Sequence, residues 1–176
     1  MENRKARPWA IFCMAAWLTG TVVMAIVATE NFYTIYRLID AQPNATFAAD
    51  IEKFGRDATF DLLYYFSSEL NRLYFQYWNL AQLAIGILAL WLIVRVPGAN
   101  RQKWEVVAML AIVLFLTVLI TPRMVSIGRA LDFVPRTPLP DGLRAFGLLH
   151  AAYTVFDGIL LILGVMVTWA LVQLKD

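Results

Sequence analysis

The chain of 176 residues is 60% hydrophobic, with a mean hydropathy of +0.62. It is too apolar for an ordinary soluble domain of this size, and it is long enough for several membrane spans. The formal net charge of +2 comes from scattered basic residues, which excludes the dense basic surface of a nucleic-acid-binding protein. A single cysteine and a single histidine exclude an intrachain disulfide and any site that needs two imidazoles from one chain. The composition predicts an integral membrane protein in contact with a lipid bilayer.

Four apolar runs are each long enough to cross a hydrocarbon core of about 30 Å as a helix. They lie at about residues 9–28, 73–94, 104–121 and 147–171. The first run exceeds the apolar region of a signal peptide, which is about 7–15 residues, so we interpret it as a retained span. The sequence predicts an all-α fold, a four-helix transmembrane bundle formed by residues 1–176 as a single domain. Its helices are expected to extend beyond the membrane on the non-cytoplasmic side.

The distribution of basic residues predicts the orientation of this bundle. Four spans place both termini on one side of the membrane. Lys and Arg are densest in the amino-terminal tail, in the loop around Arg101 and in the carboxyl-terminal tail. Because the positive-inside rule weighs basic residues close to the membrane, we expect cytoplasmic termini. Four arginines between spans three and four favour the opposite orientation.

Polar side chains follow one face of the second long helix. Glu69, Arg72, Gln76 and Asn79 are separated by steps of three and four residues, which places them along one stripe. Polar groups that face hydrocarbon lack hydrogen-bond partners at a high free-energy cost, so the stripe should face other helices. We expect any functional site to lie along it.

Other polar residues gather at the same end of the predicted bundle. Arg123 ends the third span, and His150 begins the fourth. Asp157 shares a helix face with His150 and lies about 10 Å deeper, given a rise of about 1.5 Å per residue. These positions predict a polar pocket on the non-cytoplasmic side. Its candidate residues are Glu30, Glu69, Arg72, Asn79, Arg123, His150, Tyr153 and Asp157.

Several of these residues also have a purely structural interpretation. A carboxylate as deep as Asp157 needs a cation, a proton or several donors. It either belongs to a proton, ion or ligand pocket, or it fixes the register of the helices by pairing with Arg123 or Arg72 or by hydrogen bonding to neighbours such as Tyr153. Glu69 and Arg72, three residues apart, are also explained by an ion pair within their helix.

The half of the bundle nearer the termini is predicted to be apolar and closely packed. Gly20, Gly86 and Gly164 lie in its spans. Small residues let helix backbones approach each other in membranes. We therefore expect close helix contacts at these three glycines.

Three functions remain open at this stage. The leading hypothesis is a non-enzymatic membrane protein whose pocket binds a small ligand or ion, or docks partner subunits. The second is a redox subunit with His150 as a haem ligand or as ligand to a single metal ion. The third is a structural accessory subunit that contacts another membrane protein or a second copy of itself. The sequence contains no glycine-rich phosphate loop, nucleophile elbow or zinc-protease motif, so it indicates no catalytic residue and argues against an enzyme.

Two motifs resemble a known family. Thr121-Pro122-Arg123 follows the third span, a helical stretch comes next, and Phe146-x-x-x-His150 opens the fourth span. In this layout the chain resembles the transmembrane protein 205-like family, whose function is unknown. The resemblance implies a small four-helix integral membrane protein and singles out Pro122, Arg123 and His150. It implies no reaction and no cofactor.

Overall fold

The computed structural model describes residues 3–174, with side chains from Lys5 onward. The described residues form six α-helices and one π-helical turn, without a β-strand among them, which confirms the all-α prediction. The elements are α1 (Asn3–Ala41), α2 (Ala45–Phe54), α3 (Arg56–Ile93), α4 (Asn100–Phe115), the π-turn (Leu116–Ile120), α5 (Thr121–Ala130) and α6 (Leu143–Gln173).

Four helical segments are long and apolar enough to cross a membrane. They are Lys5–Ala41, Arg56–Ile93, Asn100–Ala130 and Leu143–Gln173. Each overlaps one of the four apolar runs of the sequence, and the third combines α4, the π-turn and α5 in one continuous helix. The chain is thus a multi-pass helical membrane protein whose apolar faces suit a lipid bilayer.

The π-turn accommodates a proline inside the third segment. Pro122 has no N–H to donate, and its ring crowds the carbonyl one turn earlier. The helix widens at Leu116–Ile120, immediately before Pro122, and then continues as α5. This widened turn ends beside Thr121, a buried residue that reappears below.

The half of the bundle nearer the termini is closely packed, as the glycines predicted, but it is not purely apolar, because the Trp17 indole donates a hydrogen bond of 2.8 Å to buried Gln82 there. Gly20 accommodates the indole ring of Trp78, because any Cβ at this position would collide with that ring. A Cβ at Gly86 would lie 2.7 Å from the ring of Trp17. At Gly164 it would lie 2.7 Å from a leucine methyl group of α1. The close contacts expected at the three glycines are confirmed.

At the opposite end of the bundle, α1 and α3 continue well beyond the apolar runs at about residues 9–28 and 73–94. α1 and α3 have 39 and 38 residues, and at about 1.5 Å per residue each is nearly twice as long as a hydrocarbon core of about 30 Å. The short helix α2 folds back on them. It buries Ile51 against Ile35 and Ile39 of α1, with aromatic side chains of α1 and α3 around this small second core.

Candidate ligand cavity

A network of ion pairs ties α3 to the end of α5 and to the connection that follows it. The Arg72 guanidinium donates to both carboxylate oxygens of Asp132, each at 2.8 Å, and to Glu69 at 2.5 Å. Arg129 donates to the two oxygens of Glu69 at 3.0 and 2.8 Å. The Arg72 and Asp132 side chains are only 12% and 13% exposed. Two cations thus meet two anions, and the paired geometry compensates the cost of burying Arg72.

A cavity of about 420 Å³ lies beside this network. It is bounded by α1, α3, α5, the start of α6 and the connection between α5 and α6. Most of its wall is apolar or aromatic, with Phe32, Phe75 and Phe146 among the lining residues. The charged or imidazole side chains on the wall are Arg72, Asp132, Arg136 and His150. The cavity therefore combines an apolar body with a small number of polar groups, as ligand sites commonly do.

A buried chain of hydrogen bonds borders the cavity. The Asn79 amide donates to Thr121 Oγ1 at 2.9 Å, and the Tyr153 hydroxyl donates to Asn79 Oδ1 at 2.7 Å. None of the three residues is more than 3% exposed. Thr121 lines the cavity, and the Tyr153 ring packs edge-on against Phe75 on its wall. These bonds join three spans by polar contacts of the kind that hold membrane helices together.

Five of the residues predicted from the sequence surround this cavity. Arg72 and His150 line it. Glu69 is bonded to Arg72, and Asn79 is bonded to Thr121. Tyr153 contacts the cavity wall through its ring and Asn79 through its hydroxyl. These five residues come from two spans, α3 and α6, and Thr121 adds a contact from the third.

Glu30 and Arg123 lie apart from this group. Glu30 pairs with Arg37 on an exposed face of α1, with side-chain exposures of 52% and 64%. The inward face of α1 carries Ile35 and Thr21 instead, both buried, so the helix turns Glu30 away from the bundle. Arg123 is exposed on α5 and makes no ion pair or hydrogen bond within residues 3–174. Neither residue contributes to the cavity wall.

Asp157 lies one helical turn deeper than Tyr153 and does not line the cavity. Its Oδ1 atom is buried and has no hydrogen-bond partner in the described part of the chain. Arg72, one of its expected partners, is held by Glu69 and Asp132, and Arg123 is exposed on α5. Neither arginine pairs with Asp157, and the Tyr153 hydroxyl donates to Asn79 instead, so neither the expected ion pair nor the expected hydrogen bond is formed.

Sequence reasoning missed two members of the ion-pair network, Asp132 and Arg129. Both lie 60 residues from their partners on α3, and no local spacing links them. The available signal was Arg72 itself, since an arginine at the membrane boundary needs more compensation than Glu69 alone provides.

A polar contact between α1 and α3 was also missed. The Asn31 amide donates to Asn71 Oδ1 at 2.6 Å, and the Asn71 amide donates to the Ala28 carbonyl at 2.9 Å. The inward face of α3 therefore passes through Asn71 and Asn79, while Gln76 is exposed.

His150 was the candidate ligand for a haem or a single metal ion. It is exposed near the start of α6, where its ring lies parallel to that of Phe146 with 6.2 Å between the ring centroids. Within residues 3–174, no group of three or more His, Cys, Asp or Glu side chains is arranged to hold a metal ion. The haem and single-metal hypotheses therefore rest on His150 alone.

Together, the fold and the cavity define a four-span helical membrane protein with an interior space at one end of its bundle. Comparisons with protein-family models, with curated proteins and with solved structures find no match to this chain.

Proposed function

We propose that this membrane protein binds one small amphipathic molecule in the cavity beside Arg72, without catalysing a reaction on it. The cavity volume of about 420 Å³ is the observation that carries the proposal. Ligand sites commonly span about 300–1,000 Å³ and combine apolar walls with few polar groups. This volume suits a single apolar chain or ring system better than a lipid with two chains.

The lining of the cavity supports an occupant. Its aromatic residues, such as Phe32, Phe75 and Phe146, come from three different helices and enclose the space between them. Apolar walls gain dispersion contacts from an apolar group that lies against them. The cavity lining therefore suits the apolar part of a ligand. The polar groups would orient it.

We also place the termini in the cytoplasm and the cavity at the non-cytoplasmic end. Support comes from the density of Lys and Arg in the short terminal tails and in the loop around Arg101. Reporter domains fused to the carboxyl terminus test this assignment. We expect activity from a reporter that works only in the cytoplasm, and none from one that works only outside it. The reverse pattern would invert the orientation and leave the cavity proposal intact.

The resemblance to the transmembrane protein 205-like family is compatible with this architecture, and membership in that family stays a prediction. Since the resemblance implies no reaction, the proposed function depends on the cavity alone.

Mass spectrometry of the intact protein under non-denaturing conditions tests the proposal. The protein is extracted in a mild non-ionic detergent and compared with Ser68→Phe, which places a ring in the cavity from its α3 wall. Ser126→Phe, at an exposed serine of α5 outside the cavity, is the matched control. We expect the natural sequence and the control to retain one small bound molecule, and Ser68→Phe to lose it.

A second filling variant guards against misfolding of the first. Val125→Phe fills the cavity from α5, at a partly buried position. Loss of the bound molecule in a folded Val125→Phe protein would support the proposal. A natural protein that carries no small molecule, or retention of the molecule by both filled variants, would contradict it.

A further inference from the structure

The charges on the cavity wall do not balance. Arg72 and Asp132 neutralise each other through two hydrogen bonds of 2.8 Å. That leaves Arg136, which makes no ion pair or hydrogen bond with any described residue, and His150, whose imidazole makes none either. The wall therefore carries one positive charge without a partner among the described residues, together with an imidazole.

The carboxylate on the cavity wall, Asp132, is already engaged. Asp132 receives both of its hydrogen bonds from Arg72, and Glu69 is shared between Arg72 and Arg129. Among residues 3–174, Asp132 is the one Asp or Glu that lines the cavity. A counter-charge for Arg136 must consequently come from outside the described chain, from solvent or from an occupant.

Arg136 and His150 lie where a polar head group would be placed. Both are exposed, and both also line the cavity, which puts them at its boundary with the surroundings. The parallel contact with Phe146 positions the His150 ring beside an apolar wall. A molecule that placed a charged group there could extend its apolar part toward Phe75, which lines the cavity and contacts Tyr153.

We infer that the occupant is an anionic amphiphile, with a carboxylate or phosphate group on a single apolar chain or ring, bound at its head by Arg136 and His150. This inference rests on the proposed function. The planar guanidinium of arginine suits both anions, because each offers two oxygens to its parallel N–H groups. A fatty acid and a single-chain phosphate ester share the required chemistry, and the experiment separates them.

Three probes of equal chain length test the inference: dodecanoate, dodecyl phosphate and methyl dodecanoate. Each is added at the same concentration to the full chain in non-ionic detergent, and the bound fraction is read from the intact-protein mass spectrum. We expect one or both anions to bind at least about tenfold more tightly than the uncharged ester, as expected for a charge-assisted hydrogen bond to the head group. Preference for dodecanoate or for dodecyl phosphate identifies the head group.

Arginine variants locate the head group. Arg136→Gln should weaken anion binding about tenfold and leave ester binding unchanged. Arg144→Gln is the matched control, since Arg144 is an exposed arginine nearby that does not line the cavity. His150→Gln should weaken anion binding by a smaller factor. Equal loss in Arg136→Gln and Arg144→Gln would show a general charge effect and overturn the inference.

The outcomes separate this inference from the proposed function. If acid and ester bind equally, and Ser68→Phe abolishes both, the cavity binds ligands but the anionic head group is wrong. If none of the probes binds the natural protein, while Ser68→Phe still removes the small molecule that the natural protein retains, the inference is overturned and the proposed function stands. If Arg136→Gln retains full anion binding, the head group is not held by Arg136 and the inference is overturned.

Discussion

The two halves of the bundle differ in what fills the space between their helices. Near the termini, large side chains such as Met14, Trp17 and Met109 are at most 1% exposed, and glycines bring the helices together. At the opposite end, a charged network and a cavity of about 420 Å³ occupy the same space. The Asn79 hydrogen bonds lie between the two regions.

The two halves therefore have different roles. Close packing of apolar side chains supplies dispersion contacts and fixes the helices near the termini. Ion pairs such as Arg72 with Asp132 hold the other end together without filling it. Space for a ligand remains there, while the closely packed half near the termini keeps the bundle assembled.

Loss of Arg72 should have the largest effect. Arg72→Ala leaves Glu69 and Asp132 with less compensation at a site where the arginine is only 12% exposed. Removing one partner of a buried ion pair costs about 3–5 kcal/mol of stability. Arg37→Ala, in an exposed pair, should cost less than about 1 kcal/mol. Unfolding of both variants in mixed detergent micelles measures the difference, and equal losses would show that the network does not hold the cavity end together.

A substitution at Gly20 tests the close packing near the termini. Gly20→Ala places a Cβ against the Trp78 ring, and such overpacking costs about 1–3 kcal/mol. Gly158→Ala is the matched control, because no atom lies within 4 Å of the point that a Cβ would occupy there. At that position the better helix propensity of alanine should stabilise by about 0.5–1 kcal/mol. Thermal unfolding distinguishes the two, and a stabilising Gly20→Ala would refute the close contact.

Asn79 tests the polar contacts between the halves. Asn79→Ala removes two hydrogen bonds and leaves Thr121 and Tyr153 without this partner, at a cost of about 1–2 kcal/mol. Gln76→Ala, at an exposed amide three residues away, should change stability by less than about 0.5 kcal/mol. If the two variants unfold alike, the hydrogen bonds of Asn79 contribute nothing measurable.

The smallest effect is expected at Asp157. Because Oδ1 of this residue is buried without a partner, Asp157→Asn removes no observed hydrogen bond or ion pair. We expect unchanged or slightly higher stability and unchanged ligand retention. A clear loss of stability in thermal unfolding would reveal an interaction of the carboxylate that the described residues do not make.

Sequence patterns predicted the spans and the glycine contacts because both follow from local composition. They also predicted that Glu69 and Arg72 lie side by side, because a separation of three positions on one helix fixes that geometry. They did not predict Asp132 as the second partner of Arg72, because pairing across 60 residues depends on how the helices pack.

The inward face of α1 was equally hard to predict. Its residues are apolar on several sides, so the sequence alone does not show whether the face with Glu30 or the face with Thr21 points inward. Packing against α3 decides between them and buries Thr21. In a membrane, an apolar helix face suits lipid as well as protein, and hydrophobic periodicity loses much of its directional information.

Cysteine accessibility tests the central contrast most directly. In a Cys13→Ala background, which removes the only native thiol, Ser68→Cys places a thiol on the cavity wall and Ala89→Cys places one in the closely packed half near the termini. We predict that a small maleimide modifies the thiol introduced at position 68, that dodecanoate slows this reaction, and that the thiol at position 89 stays unmodified. Equal reactivity at the two positions, or no protection by dodecanoate at position 68, would contradict it.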